Sequence, residues 1–293
     1  MTTAWVFPGQ GSQAAGMGAD LIELPGAGAR LEQAESTLGW SVLQLTEAEL
    51  EQTQYTQPAL FVVEALLIDQ LLSQRQPDCL AGHSLGEYSA LYCAGVFDFE
   101  TGLQLVRKRS QLMAEVTGGA MAAVMGFDRE KLEKLCAETD GAEIANDNSL
   151  DQVVVTGLAD SVKAVTDVLQ ARRTMPLAVS GAFHSSFMRE AADRFATQLE
   201  TVTFNPPKCP VYSNATATAS SDPGVLKQNL FAQMVSPVRW RETLTGMAAD
   251  GVTDMWEVGP GKVLTGLAKR TVKDVRRVTI SDTAAVQSAI AQG

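Results

Sequence analysis

Five consecutive residues, Gly82-His83-Ser84-Leu85-Gly86, form a G-x-S-x-G pattern between a predicted strand and a predicted helix. In a sharp turn of this kind the serine hydroxyl is exposed at a helix N-terminus, where backbone N–H groups can stabilise a developing oxyanion. The flanking glycines leave room for the neighbouring strand and helix. The pattern predicts that Ser84 is a nucleophile; the alternative is an ordinary glycine-flanked helix cap.

A nucleophilic serine needs a general base, and the chain has only two histidines, His83 and His184. His83 directly precedes Ser84, and successive side chains of an extended segment point to opposite sides. We therefore predict that His184 is the base. Its expected place is the end of a strand over 175–179, where the chain returns from an inserted unit.

A third candidate lies on a predicted helix that Asp98 caps and that runs to about Val116. Helical periodicity places Arg109 in the middle of its apolar arc, whereas Arg107 and Lys108 lie on the polar face. A guanidinium on the core-facing side keeps its charge and needs an anion. That anion is either a buried Asp or Glu in a salt bridge, or the carboxylate of a substrate held by a bidentate clamp.

Several other site types are not indicated. The glycine turns Gly9-Gln10-Gly11 and Gly259-Pro260-Gly261-Lys262 complete neither a dinucleotide-binding fingerprint nor a Walker A loop. The first turn can still bring the backbone N–H of Gln10 to a ligand. The histidines are far apart, and the four cysteines contain no C-x-x-C pair, so we expect no metal, no cofactor and reduced thiols.

Length and composition limit the class of protein. A chain of 293 residues suggests two structural units, or one large unit with an insertion. The formal net charge of −11 argues against a nucleic-acid-binding protein. The longest apolar stretch, 58–72, is interrupted by Glu64 and Asp69, so no membrane span is predicted. The first residues lack the basic and apolar segments of a secretory signal, and we expect a cytoplasmic protein.

Hydrophobic patterning predicts strands that alternate with helices, and hence a mostly parallel sheet covered on both faces. A strand over 3–7 leads into the first glycine turn, Pro58 opens a helix, and a strand over 78–82 leads into the Ser84 turn. Between 120 and 184 the order becomes β-α-β-β-α-β, the ferredoxin-like pattern. A strand over 254–258 precedes what we predict to be the last helix.

Four segments together resemble the malonyl-CoA:acyl carrier protein transacylases, acyltransferases of fatty-acid and polyketide synthesis. They follow the order of that family along essentially the whole chain. The resemblance implies an α/β-hydrolase-like catalytic domain (1–120 and 185–293) with a ferredoxin-like inserted domain (121–184). The four segments are Phe7 to Gln13, Gly82 to Ala90, Gly181 to Ser185 and Glu257 to Leu264.

The resemblance also implies roles for individual residues. Ser84 would be acylated, His184 would be its base, and Arg109 would bind the malonyl carboxylate. The backbone N–H groups of Gln10 and Leu85 would form the oxyanion hole.

Three more positions follow from the same resemblance. The backbone carbonyl of Gln233 would orient the histidine, and Asn148 would lie near the site. Phe183 matches the residue of malonyl-selective relatives. The implied activity is ping-pong transfer of a malonyl group from malonyl-CoA to the phosphopantetheine thiol of acyl carrier protein, for fatty-acid synthesis, by a monomer without a cofactor.

Other interpretations use the same residues. A serine esterase or thioesterase needs the same turn and base but not Arg109. A polyketide pathway would supply a different carrier, and a carrier-binding module would retain the site as a relic. Because acyl carrier proteins are acidic, docking on this acidic chain requires a local basic surface. Our candidates for that surface are Lys262, Lys269, Arg270 and Lys273.

Overall fold

The computed structural model describes residues 2–179 and 181–291. Its strands form a six-stranded sheet and a separate four-stranded sheet. The strands are β1 (Thr2–Phe7), β2 (Cys79–Gly82), β3 (Gly119–Met125), β4 (Ala142–Ser149), β5 (Gln152–Leu158), β6 (Arg173–Pro176), β7 (Val211–Tyr212), β8 (Ala219–Ser220), β9 (Val252–Val258) and β10 (Arg276–Ile280).

Helices connect most of these strands. The α-helices are α1 (Ala27–Leu38), α2 (Glu47–Leu50), α3 (Thr53–Leu72), α4 (Gly86–Cys93), α5 (Phe99–Glu115), α6 (Arg129–Glu138), α7 (Ala159–Leu169), α8 (Arg189–Glu200), α9 (Pro223–Gln233), α10 (Trp240–Ala249), α11 (Val263–Thr271) and α12 (Thr283–Ala291). Short 3₁₀ turns lie at Ala19–Glu23, Val42–Gln44 and Ser186–Met188.

The large sheet has the strand order β10-β9-β1-β2-β7-β8. Its strands are parallel except β8, which is antiparallel to β7. Trp5 and Phe7 of β1 pack into one core, and Ala4 and Val6 pack into another on the opposite face. This alternation is that of a central strand buried on both faces, as the sequence predicted.

The sheet brings two of the predicted turns together. β1 and β2 are neighbours in register, with Phe7 opposite Gly82 at their carboxyl ends. The glycine turn that follows β1 therefore lies beside the Ser84 turn that follows β2.

The four-stranded sheet is antiparallel, with the order β4-β5-β3-β6. Its elements follow the chain as β3-α6-β4-β5-α7-β6, the predicted order. It has its own apolar cluster, which includes Val124, Leu132, Val153 and Val165.

The predicted start of the long helix is wrong. Helix α3 begins at Thr53, so Pro58 lies inside it. Proline has no N–H to donate to the carbonyl of Gln54. The hydroxyl of Ser110 lies 3.4 Å from that carbonyl and 2.9 Å from the carbonyl of Arg107 on its own helix.

Two further elements differ from the sequence prediction. Strand β6 ends at Pro176, so His184 lies in the loop that follows it and not at a strand end. Helix α11 is not the last helix, since β10 and α12 follow it. Among the described residues no helix is long and apolar enough to cross a membrane.

Candidate active site

The turn after β2 has the geometry that its glycines predict. Ser84 has a φ of 54°, in the left-handed region that side chains rarely adopt. A Cβ on Gly82 would lie 1.8 Å from the carbonyl carbon of Gly86, and one on Gly86 would lie 2.0 Å from the carbonyl oxygen of Phe7. Only glycine fits at either position, because the atoms in the way are backbone atoms.

Ser84, His184 and Gln233 form a chain of hydrogen bonds. The Ser84 Oγ lies 2.7 Å from Nε2 of His184, and Nδ1 of His184 lies 2.9 Å from the backbone oxygen of Gln233. A carbonyl oxygen only accepts, so Nδ1 carries the proton and Nε2 is free to accept the serine proton. The imidazole is thus oriented as a base towards Ser84 by a backbone carbonyl.

The histidine is held neutral by its surroundings. Burial and, second to it, the nearby Arg109 cation lower the pKa of His184 to about 3. The residue has a φ of 56° and is 4% exposed. A neutral imidazole can take up a proton across the whole physiological pH range.

Arg109 is completely buried, and its partners are neutral. One terminal nitrogen donates to the side-chain oxygen of Gln57 at 2.7 Å; the other donates to Ser84 Oγ and to the side-chain oxygen of Gln233, both at 3.0 Å. Its Nε has no partner among the described residues. No ion pair in the described part of the chain includes Arg109. The salt-bridge interpretation of this residue is therefore wrong for the described residues.

The side chain of Gln233 was not part of the sequence prediction, which concerned only its carbonyl. Its Nε2 donates to the backbone oxygen of Ser84 at 2.8 Å and to Oε2 of Glu87 at 2.7 Å. Its Oε1 accepts from Arg109. One residue thus contacts Ser84, His184 and Arg109.

Asn214 holds the turn from the other side and was also missed. Its Oδ1 accepts from the backbone N–H of Ser84 at 2.7 Å, and its Nδ2 donates to the backbone oxygen of Gly82 at 2.6 Å. Its own N–H donates to Glu87 at 3.1 Å. Nothing in the sequence marks Asn214 or Gln57, because each reaches the site only through the fold.

The carboxylate of Glu87 accepts hydrogen bonds from both Gln233 and Asn214, the two residues that bond the Ser84 turn. Burial raises the pKa of its carboxyl to about 7, and the hydrogen bond from Gln233 opposes the rise. Its place directly after Gly86 was the signal that could have identified it.

The two residues expected to supply oxyanion donors, Gln10 and Leu85, are close to Ser84. Leu85 follows Ser84, and the turn carrying Gln10 is so close that a Cβ on Gly9 would lie 2.4 Å from the backbone oxygen of His83. Neither backbone N–H, of Gln10 or of Leu85, donates to another described residue. Both are therefore available to a ligand.

A cavity of about 90 Å³ opens at Ser84. Phe183 forms part of its wall, as expected for a residue next to His184. Asn148 does not line it; its Oδ1 lies 2.8 Å from Nε2 of His83. The lining residues are Gln10, Gln57, His83, Ser84, Met113, Met121, Asn146, Leu177, Val179, Phe183 and His184.

A second cavity, of about 170 Å³, continues from His83 and Gln10 towards α11. It lies between Asn146 and Asn148 on β4 and Leu264 on α11. The two cavities together form a cleft between the two sheets that leads to Ser84.

The four basic residues near α11 are all exposed, as a docking surface requires. Arg270 is not free: it donates to the side chain of Gln152 at 3.1 Å and lies 3.8 Å from Asp151. Lys262, Lys269 and Lys273 form no ion pair with another described residue.

A serine in a strained turn after a parallel strand, hydrogen-bonded to a neutral histidine, is the arrangement of enzymes that form an acyl-serine. The acyl transferase domain family matches residues 4–289. The chain belongs to this family.

Individual relatives are similar over nearly their whole length. The malonyl CoA-acyl carrier protein transacylase of Synechocystis sp. is 53% identical over 94% of this chain and 95% of its own. A polyketide biosynthesis malonyl CoA-acyl carrier protein transacylase of Bacillus subtilis is 42% identical over 92% of this chain and 97% of its own.

Solved structures agree with this relationship. The crystal structure of the Synechocystis transacylase superimposes with a TM-score of 0.97 at 51% identity and covers 98% of this chain and 100% of its own. A malonyl-transacylase in complex with a type II polyketide acyl carrier protein superimposes with a TM-score of 0.95 at 37% identity, with 100% of both chains covered.

Proposed function

We propose that this protein transfers the malonyl group of malonyl-CoA to the phosphopantetheine thiol of acyl carrier protein and so supplies fatty-acid synthesis. The observation that carries the proposal is the buried guanidinium of Arg109, which has no ion-pair partner among the described residues and lies 3.0 Å from the hydroxyl of Ser84. In a malonyl-serine ester the free carboxylate is only three covalent bonds from Oγ. A cation beside Oγ therefore pairs with a malonyl carboxylate, whereas an acetyl group leaves it unpaired.

The first half-reaction uses the hydrogen-bonded chain at Ser84. His184 Nε2 takes the serine proton while Oγ attacks the thioester carbonyl, and the N–H groups of Gln10 and Leu85 stabilise the oxyanion, each by about 3 kcal/mol. The C–S bond then breaks, and His184 returns its proton to the CoA thiolate. The product is malonyl-Ser84 and free CoA.

The second half-reaction repeats these steps with the carrier. The phosphopantetheine thiol gives its proton to His184, and the thiolate attacks the malonyl ester. The ester C–O bond breaks, and the proton returns from His184 to Ser84 Oγ. Charge, proton and acyl group are balanced, so the enzyme is ready for another cycle.

Three further features fit this activity. The element order and sheet order of 121–184 support a ferredoxin-like inserted domain within an α/β-hydrolase-like catalytic domain (1–120 and 185–293). The cleft of two cavities suits the long arm that CoA and the carrier share. The carrier complex of the related malonyl-transacylase supports an acyl carrier protein as partner, and Lys262, Lys269 and Lys273 beside the cleft offer it positive charge.

Intact mass spectrometry tests the proposal. The protein is incubated with malonyl-CoA without a carrier, beside a Ser84→Ala variant. The wild type should gain one malonyl group and the variant none. Release of CoA without a mass gain would favour a thioesterase, and absence of both would refute the malonyl assignment.

A further inference from the structure

Asp147, on the side of β4 away from the cleft, is buried between two arginines. Its Oδ1 accepts from Arg129 at 2.9 Å, and its Oδ2 accepts from Nε of Arg241 at 2.9 Å. A further nitrogen of each guanidinium also contacts Oδ2: Nη1 of Arg129 at 3.2 Å and Nη2 of Arg241 at 2.8 Å. Each arginine thus contacts the Asp147 carboxylate with two nitrogens.

The two arginines belong to different parts of the molecule. Arg129 is the first residue of α6, beside the small sheet, whereas Arg241 lies on α10, which packs on the large sheet. The carboxylate of Asp147 therefore links β4 to the large sheet's layer of helices.

Backbone hydrogen bonds join the same two parts at the same point. The N–H of Asp147 donates to the carbonyl of Val238 at 2.9 Å, and the N–H of Val238 donates to the carbonyl of Ala145 at 2.8 Å. This short parallel bridge involves Val238, and α10 begins two residues later, at Trp240. Ionic and backbone contacts together hold the middle of β4 against the segment that leads into α10, a helix of the large sheet's layer.

The neighbours of Asp147 on β4 face the substrate cleft. Asn146 lines both of its cavities, and Asn148 lines the outer one. Asn148 also bonds His83, the residue before the nucleophile, at 2.8 Å. Any displacement of Asp147 moves both asparagines, because adjacent residues of a strand are rigidly connected.

We propose that Asp147 is a positioning residue, whose link to Arg241 sets the distance between β4 and the Ser84 turn and so the width of the cleft that receives the CoA arm. The inference deepens the proposed function and rests on it. Removing the charge of Asp147 would take from Arg241 the carboxylate that it binds, and would leave Arg129 its ion pair with Glu133 at 3.7 Å. Without that carboxylate the ionic link between β4 and α10 is lost, and β4 moves away from the helices of the large sheet.

The test compares Asp147→Asn with Asp254→Asn. Asp254 is also buried and paired with an arginine, Arg276 at 3.4 Å, but it lies near the start of β9, at the sheet end opposite Ser84. For Asp147→Asn we expect the KM for malonyl-CoA to rise about five- to tenfold with kcat within about twofold of wild type. Asp254→Asn should leave both constants unchanged.

A second reagent separates positioning from loss of structure. Phenylmethylsulfonyl fluoride is small and reports the reactivity of Ser84 without using the CoA arm. Its reaction rate with Asp147→Asn should stay within about twofold of wild type. The proposal would be overturned if the reaction rate of Ser84 and the affinity for malonyl-CoA both fell in Asp147→Asn. It would also be overturned if the KM for malonyl-CoA stayed unchanged, or if it rose equally in Asp254→Asn.

The arginine variants sharpen the test and replace Asp147→Asn if that variant does not fold. Arg241→Gln should reproduce the rise in KM. Arg129→Gln should have the smaller effect, because the hydrogen bonds and ion pairs of Arg129 within the described residues go only to β4 and α6. Equal effects would contradict the link. Calorimetric titration with CoA alone is an independent measurement, and the Kd for CoA should rise about five- to tenfold in Asp147→Asn. This result does not depend on malonyl transfer, so it distinguishes failure of the inference from failure of the proposed function.

Discussion

Replacing Arg109 by alanine separates the proposed transacylase from a general serine esterase. The guanidinium is fully buried, has only neutral hydrogen-bond partners and carries an Nε without a partner in the described structure. A malonyl carboxylate would be its anion. Its loss should therefore act chiefly on acyl groups that carry a carboxylate.

The magnitude follows from the contacts. A carboxylate held by two charge-assisted hydrogen bonds, each contributing about 1.5 to 3 kcal/mol, loses at least about 3 kcal/mol, which is about 100-fold in kcat/KM. Arg109 also donates to Ser84 Oγ and Gln233, so Arg109→Ala should slow every substrate to some degree. That common loss cancels in the ratio of two substrates.

The assay measures kcat/KM for malonyl-CoA and for acetyl-CoA in wild type and Arg109→Ala. We expect the malonyl preference to fall by about 100-fold or more. Arg107→Ala is the matched control, since Arg107 lies on the exposed face of the same helix and its side chain donates to the Thr37 carbonyl. A preference that falls less than about fivefold in Arg109→Ala would refute the carboxylate assignment.

Three other predictions concern the base, the turn and the buried acid. Because the pKa of His184 is lowered to about 3, malonylation in the quenched mass assay should keep its rate from pH 8 to about pH 5; a loss centred near the ordinary histidine value would contradict this. Gly86→Ala forces a Cβ to 2.0 Å from a backbone oxygen, so urea unfolding should show a loss of more than about 3 kcal/mol, whereas Gly28→Ala, with open space in α1, should be neutral or stabilising by up to about 1 kcal/mol. Burial raises the pKa of Glu87 from 4.5 to about 7, so the stability that protonated Glu87 contributes below pH 4.5 is lost as the pH rises through 7. In Glu87→Gln the free energy of unfolding should therefore fall by about 3 kcal/mol less between pH 5 and 8 than in the wild type. An identical pH dependence in both proteins would argue against the raised pKa.

Local physical rules explain why much of the site was predictable. The Ser84 turn depends on steric contacts between neighbours in the chain, and G-x-S-x-G records those contacts directly. The place of Arg109 on the core-facing side of α5 depends only on helical periodicity, and the structure shows it fully buried. The alternation of strands and helices, which can likewise be read from local patterns, predicted the parallel sheet.

Contacts between distant parts of the chain were beyond such rules. Pro58 lies within α3, and the carbonyl of Gln54 that it leaves free lies 3.4 Å from the hydroxyl of Ser110 on another helix. Among the described residues Arg109 has neutral hydrogen-bond partners such as Gln57, which is 52 positions away. The Ser84 turn is supported by Gln233, which is 149 positions from Ser84. Periodicity and spacing describe a residue's own element, whereas the choice of partner depends on which elements the fold packs together. The residue types and the turn that carry the chemistry can thus be read from the chain, but the neutral surroundings of the cation and the orientation of the histidine arise only when distant segments meet.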